Sequence, residues 1–417
     1  MGRWTNEAMN QSLRHMTKSE TTLQRILLAI AHTGEIAFRN LGGALGLSPS
    51  TLESRARWLA RRGLVEIHAG HKSVGLNPRY GHVVGIDLGA SHLHFALADF
   101  RGEIQADSAV TVRPEDGPQT MIAQIKQGIR QLTVEPPSRA ATRAGLKPGA
   151  TAKPRFGRLR AISIGVPSAV DTERGVVAWV NNLPGWTNIH LGRELAKTFR
   201  VPIFVENDAN MAAIGEHWRG AARGVNNFVF VALGTGIGTG VFIDGKLYRG
   251  RTGSAGEVFR MNLEWQRWNE EFPDTGYFES YVAGLGIAAE GRKMLGAPQP
   301  SEAAGLRQER DAYFVFEAYR QGSSKAAEVL DKVFTILGVG MANVVAILDP
   351  DLIVFGGGIA KGAPERMLAT VEKVVRRIHG AGTPRFELSS LGDKAQTYGA
   401  IFSALTLASE KIACRQR

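Results

Sequence analysis

Residues 227–250 read NFVFVALGTGIGTGVFIDGKLYRG, and residues 82–104 read HVVGIDLGASHLHFALADFRGEI. Each stretch has the pattern of an apolar strand, a glycine-containing turn, a second strand and another turn. Two copies of one pattern in a single chain indicate an internal duplication. The sequence therefore predicts an α/β body of two similar lobes, with the two glycine turns facing one cleft.

The composition of the chain favours a globular protein with a polyanionic partner. Its 417 residues are 44% hydrophobic and 21% charged, which is enough for two or three domains with cores of their own. The formal net charge is +11, and the basic residues gather in the first 80 positions and around residues 139–160. A basic excess of this kind favours binding to polyanions.

The cysteine content and hydropathy exclude several classes of protein. Cys414 is the only cysteine, so a disulfide within the chain and a cysteine-based zinc cluster are both excluded. No unbroken run of about 18 apolar residues and no signal-peptide core are found. We therefore expect a cytoplasmic protein that has no membrane partner.

The N-terminal region has the pattern of a winged helix-turn-helix domain. Residues 1–18 are polar without periodicity and are predicted to form a flexible arm. Residues 19–80 follow the order helix, helix, helix, hairpin, and the third helix has Ser48 as its cap and Pro49 at its first position. The stretch LVEIHAGHKSVGLN, residues 64–77, alternates about a glycine turn as a β-wing does.

The third helix of this region is predicted to read DNA. A recognition helix presents its first turns to base edges, while arginines around it contact phosphates. The alternative is a helical bundle whose arginines only solvate one face. The predicted DNA-binding residues are Arg39, Ser50, Thr51, Ser54, Arg55 and Arg57.

The rest of the chain is predicted to form the two-lobed body. The first lobe covers residues 81–215, with an insertion rich in Pro, Ala, Gly and Arg at residues 133–158. The second lobe covers residues 216–390. Residues 391–417 are predicted to form a helix that packs back on the first lobe.

Several residues of the body have the chemistry that phosphoryl transfer requires, namely backbone amides around phosphates, a metal-holding carboxylate and a base. Asp208 follows a strand and opens a helix, where it suits a general base; capping that helix is the alternative. Glycine lets the backbone approach phosphate closely. The candidate nucleotide-binding residues are Asp87, Gly89, Gly234, Thr235, Gly236 and Gly357.

The order of the motifs resembles that of the ROK family of repressors, open reading frames and sugar kinases. The resemblance extends from residue 22 to residue 407, apart from the insertion, and is carried by GIDLGASHLHFALADFRG, IGVPSAVD, NNLPGW, VENDANMAAIGE, LGTGIGTGVFIDGKLYRGRTGSAGEV, GYFESYVAG and IVFGGGI. It implies a duplicated actin/hexokinase-like (ribonuclease H-like) body, preceded here by the winged helix domain of the family's regulators. The sugar-binding residues that it implies are Asn182, Asn207, Asp208, Glu257 and Glu279.

The chain departs from the family pattern where the family binds structural zinc. Phe259 and Arg260 stand in place of Gly-His, and the three cysteines are missing, so this zinc site is predicted to be absent. Aromatic packing by Trp265, Trp268, Phe272 and Tyr277 is expected to replace the metal. Arg260 is a further candidate for contact with the sugar, and would favour an anionic one, although an outward-facing arginine is the simpler alternative.

Two positions near the expected phosphate also differ from the kinases of the family, which carry glycine where this chain has Ala90 and Ser168. The sequence therefore predicts a sugar-responsive transcriptional regulator, a repressor that binds a palindromic operator as a homodimer or tetramer. No cofactor is expected, and ATP with Mg²⁺ only if kinase activity persists. The alternatives are an ATP-dependent sugar kinase with Asp208 as catalytic base, and a DNA-binding protein that no longer senses a ligand.

Overall fold

The computed structural model describes residues 22–68, 72–89, 92–133, 158–180, 183–271, 276–296 and 311–414. These residues divide into two compact units. The first extends to Trp218 and resumes at Lys394, and the second comprises Arg219–Asp393. The predicted N-terminal arm and residues 134–157 of the predicted insertion lie outside the described residues.

The first unit begins with three helices and a small antiparallel sheet, which form the winged helix domain. Its helices are α1 (Thr22–Thr33), α2 (Phe38–Leu45) and α3 (Pro49–Arg61). Its sheet has the order β1 (Ile36–Ala37), β3 (Ser73–Leu76), β2 (Val65–His68). The turn between α2 and α3 follows local chemistry: Gly46 adopts the left-handed region at φ 65°, and the Ser48 hydroxyl accepts a hydrogen bond from the Thr51 N–H at 3.2 Å.

The first lobe follows in the same unit and is built on a five-stranded sheet. The sheet has the order β11 (Ile203–Asn207), β7 (Leu159–Val166), β4 (His82–Leu88), β5 (His92–Asp99), β6 (Ile104–Thr111). A smaller antiparallel sheet has the order β10 (Thr187–Ile189), β9 (Val176–Trp179), β8 (Val170–Asp171). The helices of this lobe are α4 (Gly117–Thr133), α5 (Leu191–Phe199) and α6 (Asp208–Arg219).

The second unit repeats the topology of the first lobe. Its sheet has the order β14 (Lys246–Leu247), β13 (Ile237–Ile243), β12 (Phe228–Leu233), β15 (Leu352–Gly356), β16 (Arg385–Leu388). In both sheets the first strand pairs antiparallel with the second, and two later strands add in parallel on its other side. The predicted duplication is therefore confirmed. The helices of this unit are α7 (Tyr277–Val282), α8 (Gly284–Leu295), α9 (Tyr313–Arg320), α10 (Ser324–Leu348), α11 (Gly358–Gly362) and α12 (Pro364–His379).

Helix α10 is apolar because it forms part of the core of the second unit. Within the described part of the chain, it is long and apolar enough to span a membrane by length and composition alone. In the structure 56% of its apolar window is buried, and side chains such as Leu330, Phe334 and Met341 lie in the core of the second unit. An apolar helix that is largely buried in its own unit passes the same composition test as a membrane span.

The last helix, α13 (Ala395–Cys414), returns to the first unit and packs on β4, β7 and α1. Its backbone lies directly against α6, because a Cβ on Gly399 would overlap the Met211 carbonyl oxygen and a Cβ on Gly215 would overlap the Ala395 carbonyl oxygen. Such close helix contact requires glycine on both sides. Direct backbone contact therefore fixes the position of α13 on α6.

One hydrophobic core joins the winged helix domain to the first lobe. Ile26, Leu27 and Ile30 of α1 belong to the same buried cluster as Trp218 of α6 and Leu405 of α13. The apolar face of α1 packs against the body as well as against α2 and α3. The winged helix domain is therefore continuous with the first lobe in packing as well as in sequence.

Two adjacent glycines in α2 generate a stability prediction. Gly43 is exposed, and a Cβ there would meet nothing within 4 Å, whereas a Cβ on Gly42 would meet the Leu47 carbonyl oxygen at 3.3 Å and Leu52 at 3.4 Å. Gly43→Ala should therefore raise the free energy of unfolding by about 0.5–1 kcal/mol through helix propensity. Gly42→Ala, the matched control, should gain less or lose stability. Urea denaturation followed by circular dichroism measures both, and an equal gain in both variants would contradict the packing seen here.

Candidate functional site

The exposed face of α3 carries the predicted DNA-reading residues. Leu52, Ala56 and Leu59 are buried, so the opposite face of the helix is turned to solvent. Ser48 orders the first turn, because its hydroxyl donates to Thr51 Oγ1 at 2.8 Å and lies 3.2 Å from Ser50 Oγ. The predicted residues that the structure leaves exposed are Arg39, Ser50, Thr51, Ser54, Arg55 and Arg57.

The arginines of this surface differ in their partners. Arg57 donates from Nε and Nη2 to Glu53 Oε1, at 3.1 and 2.7 Å, as an i, i+4 pair on the helix surface. Within the described residues, Arg39 and Arg55 form no ion pair. The charge of these two side chains is therefore available to a phosphate, whereas the Arg57 guanidinium is already paired with Glu53.

The start of α6 brings together Asn207 and Asp208 at the end of β11. Asn207 Oδ1 accepts from the Asn210 N–H at 3.0 Å, and Asn207 Nδ2 donates to the Ser168 carbonyl oxygen at 3.2 Å. Asn207 is therefore the residue that caps the helix. Asp208 Oδ1 accepts from the neighbouring Ala209 N–H at 2.8 Å. The capping role considered as an alternative for Asp208 therefore belongs to its neighbour Asn207, which accepts the hydrogen bond from the N–H three residues further on.

A buried pair that the sequence analysis did not single out supports this turn. Glu206 Oε1 accepts from the Asn207 N–H at 2.9 Å and from Asn210 Nδ2 at 3.1 Å, and both side chains are about 2% exposed. A buried carboxylate with two donors fixes the backbone at the point where β11 becomes α6. The motif VENDAN contained the signal, since three polar residues interrupt an apolar strand and helix.

Ser168, where the family's kinases carry glycine, has a structural role. Its hydroxyl donates to the carbonyl oxygens of Ala169 and Trp179 and accepts from the Trp179 N–H at 3.3 Å. The side chain is buried and joins the end of β7 to β9. The serine at this position therefore stabilises the small sheet through its hydrogen bonds to Trp179. That structural role accounts for the difference from the kinases.

The other end of α6 contacts the winged helix domain. Trp218 Nε1 donates to the Ala31 carbonyl oxygen at 2.9 Å, which satisfies a carbonyl in the last turn of α1. His217 Nδ1 lies 3.3 Å from His32 Nε2, and the His32 ring packs edge-on against Phe402 of α13. Burial lowers the pKa of His217 well below its ordinary value, and the neighbouring His32 lowers it further. Helix α6 thus carries a predicted sugar-binding residue at one end and a contact to the DNA-binding domain at the other.

In the second unit, the glycine loop between β12 and β13 is held by a predicted sugar-binding carboxylate. Glu279 Oε2 accepts from the Ile237 N–H at 2.9 Å, and a Cβ on Gly236 would come within 2.5 Å of that oxygen. Gly236 therefore makes room for Glu279. A Cβ on Gly234 would meet nothing within 4 Å, and Thr235 is exposed, so this side of the loop is open to a ligand.

Glu257 lies on a segment that docks on β13. Thr239 Oγ1 donates to the Gly256 carbonyl oxygen at 2.6 Å, and Gly256 adopts φ 87°. Burial raises the pKa of the half-buried Glu257, while the charge of Arg260 opposes the rise and that of Glu279 adds to it. Arg260 itself is exposed. The three side chains thus form one electrostatic group within this unit.

The segment that replaces the family's zinc site is held by a polar network, which corrects the expectation of aromatic packing. Trp265 and Trp268 are each 77% exposed, and Phe272 lies outside the described residues. The network centres on Arg267, which donates to Glu270 Oε2 at 2.6 Å and to the Tyr281 hydroxyl. Tyr277 donates to the Arg267 carbonyl oxygen at 2.7 Å, and Tyr281 donates to Glu264 Oε1 at 2.7 Å.

The predicted nucleotide-binding residues are divided between the two units. In the first, Asp87 is buried at the end of β4, 3.7 Å from His92 Nε2, and a Cβ on Gly89 would overlap the His92 ring. In the second, Gly357 has φ 94° and lies against the Leu233 carbonyl oxygen, where a Cβ would overlap it. Asn182 and Ala90 lie outside the described residues.

Comparison with known proteins gives the same division into an N-terminal winged helix domain and a two-lobed body. The sequence profile of the ROK family matches residues 83–407. The xylose repressor of Bacillus subtilis is 27% identical over 390 residues, which span 90% of this chain and 93% of that protein. The glucokinase of Thermotoga maritima is 30% identical over 325 residues, 76% of this chain and 95% of that protein.

A solved structure agrees with the architecture. The crystal structure of a ROK family transcriptional regulator, a homologue of the E. coli MLC protein, superposes with a TM-score of 0.74 and covers 98% of this chain and 100% of its own. At 22% identity this likeness shows the fold alone. A winged helix domain followed by a duplicated actin-like body is the architecture that the two chains share. The chain belongs to the ROK family.

The raised pKa of Glu257 predicts an unusual pH dependence. A carboxyl group whose pKa is raised in the folded state binds more protons there than in the unfolded state, so its contribution to stability falls as the pH rises above its ordinary value of 4.5. Because burial is the largest cause, Glu257→Gln should stabilise the protein at neutral pH, and the gain should shrink on acidification. Denaturant midpoints measured between about pH 4 and pH 8 test this.

Glu270 offers a matched control of opposite sign. The hydrogen bond from Arg267 lowers the pKa of Glu270, so its stabilising effect is present at neutral pH and is lost as the pH falls. Glu270→Gln should therefore destabilise the protein at neutral pH. Parallel behaviour of the two variants would contradict the assigned environments.

Proposed function

We propose that this protein is a sugar-responsive transcriptional repressor. The observation that supports this best is the extent of the repressor match, which covers 90% of the chain, whereas the kinase match covers 76%. The ROK profile itself begins at residue 83, after the winged helix domain. The greater length of the repressor match therefore points to the region before the two-lobed body. By its likeness to these repressors, we place the protein in the cytoplasm, on DNA.

In this proposal α3 enters the major groove of an operator. Ser50, Thr51 and Ser54 face base edges from its first turns, and Arg55 is suited to a guanine. Arg39 supplies a phosphate contact that orients the domain. A palindromic operator would be bound by a homodimer or tetramer, with one half-site for each winged helix domain.

The effector is proposed to be a neutral aldose such as xylose or glucose. Asp208 supports this, because a carboxylate at the start of a helix can accept hydrogen bonds from vicinal sugar hydroxyls. In the second unit, Glu257 and Glu279 offer the same chemistry. Arg260 is exposed, and its positive charge already acts on the neighbouring Glu257. The proposed effector is therefore a neutral sugar and not an anionic one.

Helix α6 is the proposed route of the signal. It has 12 residues and spans about 18 Å, with Asp208 at its first position and Trp218 bonded to α1 near its last. Because Gly215 holds α6 against α13, a shift of its first turn would move the whole helix, including its contact with the winged helix domain. A sugar can change DNA affinity only if it binds the two conformations with different affinity.

A sugar kinase is the second candidate, favoured by 30% identity to a glucokinase. Asp208 would then be the general base, and the open side of the loop at Gly234 and Thr235 would receive phosphate, with ATP and Mg²⁺ as cosubstrates. Under this alternative the winged helix domain is an added module. The two candidates differ in what Asp208 does.

Asp208→Asn tests both candidates. Under the repressor proposal, operator affinity without sugar stays unchanged, while the sugar concentration needed for half-maximal release rises at least about tenfold, because a charged acceptor is lost. Operator sites selected from random DNA, followed by fluorescence anisotropy with xylose and glucose, measure this. Asp107→Asn, an exposed carboxylate on β6, is the control and should leave both quantities unchanged.

The same variant is to be assayed for phosphoryl transfer from ATP to the sugar panel. Rapid turnover by the wild type that Asp208→Asn abolishes, together with no preference among DNA sequences, would overturn the repressor proposal in favour of the kinase.

Trp218→Phe tests the proposed route. It removes the donor to the Ala31 carbonyl oxygen and keeps most of the ring packing, so DNA and sugar should each still bind while sugar-induced release weakens. Trp186→Phe is a matched control, because Trp186 is equally buried in the same unit and its Nε1 has no hydrogen-bond partner among the described residues. Calorimetry for sugar and anisotropy for DNA separate the two bindings. Equal induction in both variants and the wild type would exclude this route.

A further inference from the structure

A cavity of about 510 Å³ lies in the first unit, away from the start of α6. It is formed by the end of the winged helix domain at Tyr80, the start of β7, the turn between β8 and β9, helix α5 and the last turns of α13. Pockets of this size commonly hold small molecules. The proposed sugar-binding and DNA-binding residues do not line it.

The cavity is strongly cationic. Glu173 is the only carboxylate among its lining residues. Within the described part of the chain, Arg174 is paired weakly, at 3.8 Å from Asp171, whereas Arg158, Arg193, Arg200 and Lys411 form no ion pair. A cluster of cations of this kind favours the binding of an anion. The cationic lining residues are Arg158, Arg160, Arg174, Arg193, Arg200 and Lys411.

The neighbouring insertion does not offer that anion. Residues 134–157, which lead into Arg158, contain five lysines and arginines and one glutamate. A segment with this composition would add to the positive potential around the cavity. This composition favours another molecule over the insertion as the source of the anion.

One wall of the cavity is the link between the winged helix domain and the body. Arg160 donates from Nε to the Tyr80 carbonyl oxygen at 3.0 Å, and its guanidinium lies 3.6 Å from the centre of the Tyr80 ring. A Cβ on Gly81 would come within 2.6 Å of Arg160 Nε. An anion in the cavity would thus sit beside the guanidinium that holds this link.

We propose that the cavity is a second ligand site, which binds a phosphorylated small molecule. Arginine guanidinium groups recognise phosphate through paired N–H donors, and Arg193 and Arg200 form no ion pair with any described residue. A concave pocket suits a metabolite-sized phosphate ester, whereas a duplex is contacted by side chains that project from a surface. The site is independent of the proposed sugar effector.

Pyrophosphate and fructose 1,6-bisphosphate are suitable probes, and calorimetry with the full-length protein at low salt measures their affinity. Saturable binding with one site per chain is expected. Arg193→Ala/Arg200→Ala should weaken it at least tenfold, because charge-assisted contacts to phosphate are lost. Circular dichroism should show that the double variant has the wild-type melting temperature, since both arginines are exposed.

The control is Arg39→Ala/Arg55→Ala, which removes the same charge from the winged helix domain. It should keep the affinity for both probes and lose affinity for DNA, while the cavity variant should do the reverse. The proposal is overturned if neither probe binds saturably, or if both double variants bind the probes equally well. It is also overturned if the cavity variant loses DNA affinity as fully as the control, which would assign these arginines to the DNA interface. None of these outcomes depends on whether a sugar releases the operator.

Discussion

The close packing of α6 against α13 is the constraint on which the first unit depends. At Gly215 and Gly399 the two backbones meet with no space for a Cβ, so neither helix can tilt without the other. The same pair of helices supplies the surface on which α1 of the winged helix domain packs, through Trp218, Phe402 and Leu405. A domain that would otherwise be a separate module therefore shares its core with the first lobe, and its position is tied to the helix that begins at Asp208.

This arrangement explains how a metabolic fold can serve regulation without new chemistry. The turn at Glu206, Asn207 and Asn210 is fixed by buried hydrogen bonds, and in our proposal Asp208 beside it contacts the ligand. The far end of α6 is fixed just as firmly by the Trp218 bond and the His217 contact. Packed helices move as rigid bodies more readily than they deform. The coupling that we propose needs only the short shift that rigid packing allows.

The sequence predicted local features well and long-range contacts poorly. The Ser48 cap and the β-hairpin of residues 64–77 depend on neighbouring residues, and they occur as expected. The pair Trp265 and Trp268 shows the opposite case: aromatic residues predicted to fill the place of a metal point to solvent, because Arg267 organises the segment through partners up to 14 residues away. Phosphate binding by Gly236 stays a prediction, and the structure adds a contact that the sequence did not reveal: its lack of a side chain makes room for Glu279, 43 residues later in the chain.

The amino-acid sequence by itself determined the winged helix domain, the duplicated body, the family and the absence of the cysteine ligands, since each depends on residue type and spacing along the chain. Only the tertiary structure decided which polar side chains are occupied by structural bonds, as Asn207 and Ser168 are, and which remain available. It alone gathered the arginines of β7, α5 and the intervening turns around one cavity. The physical reason is that partners far apart in sequence are brought together by strand order and helix packing, which no local pattern encodes.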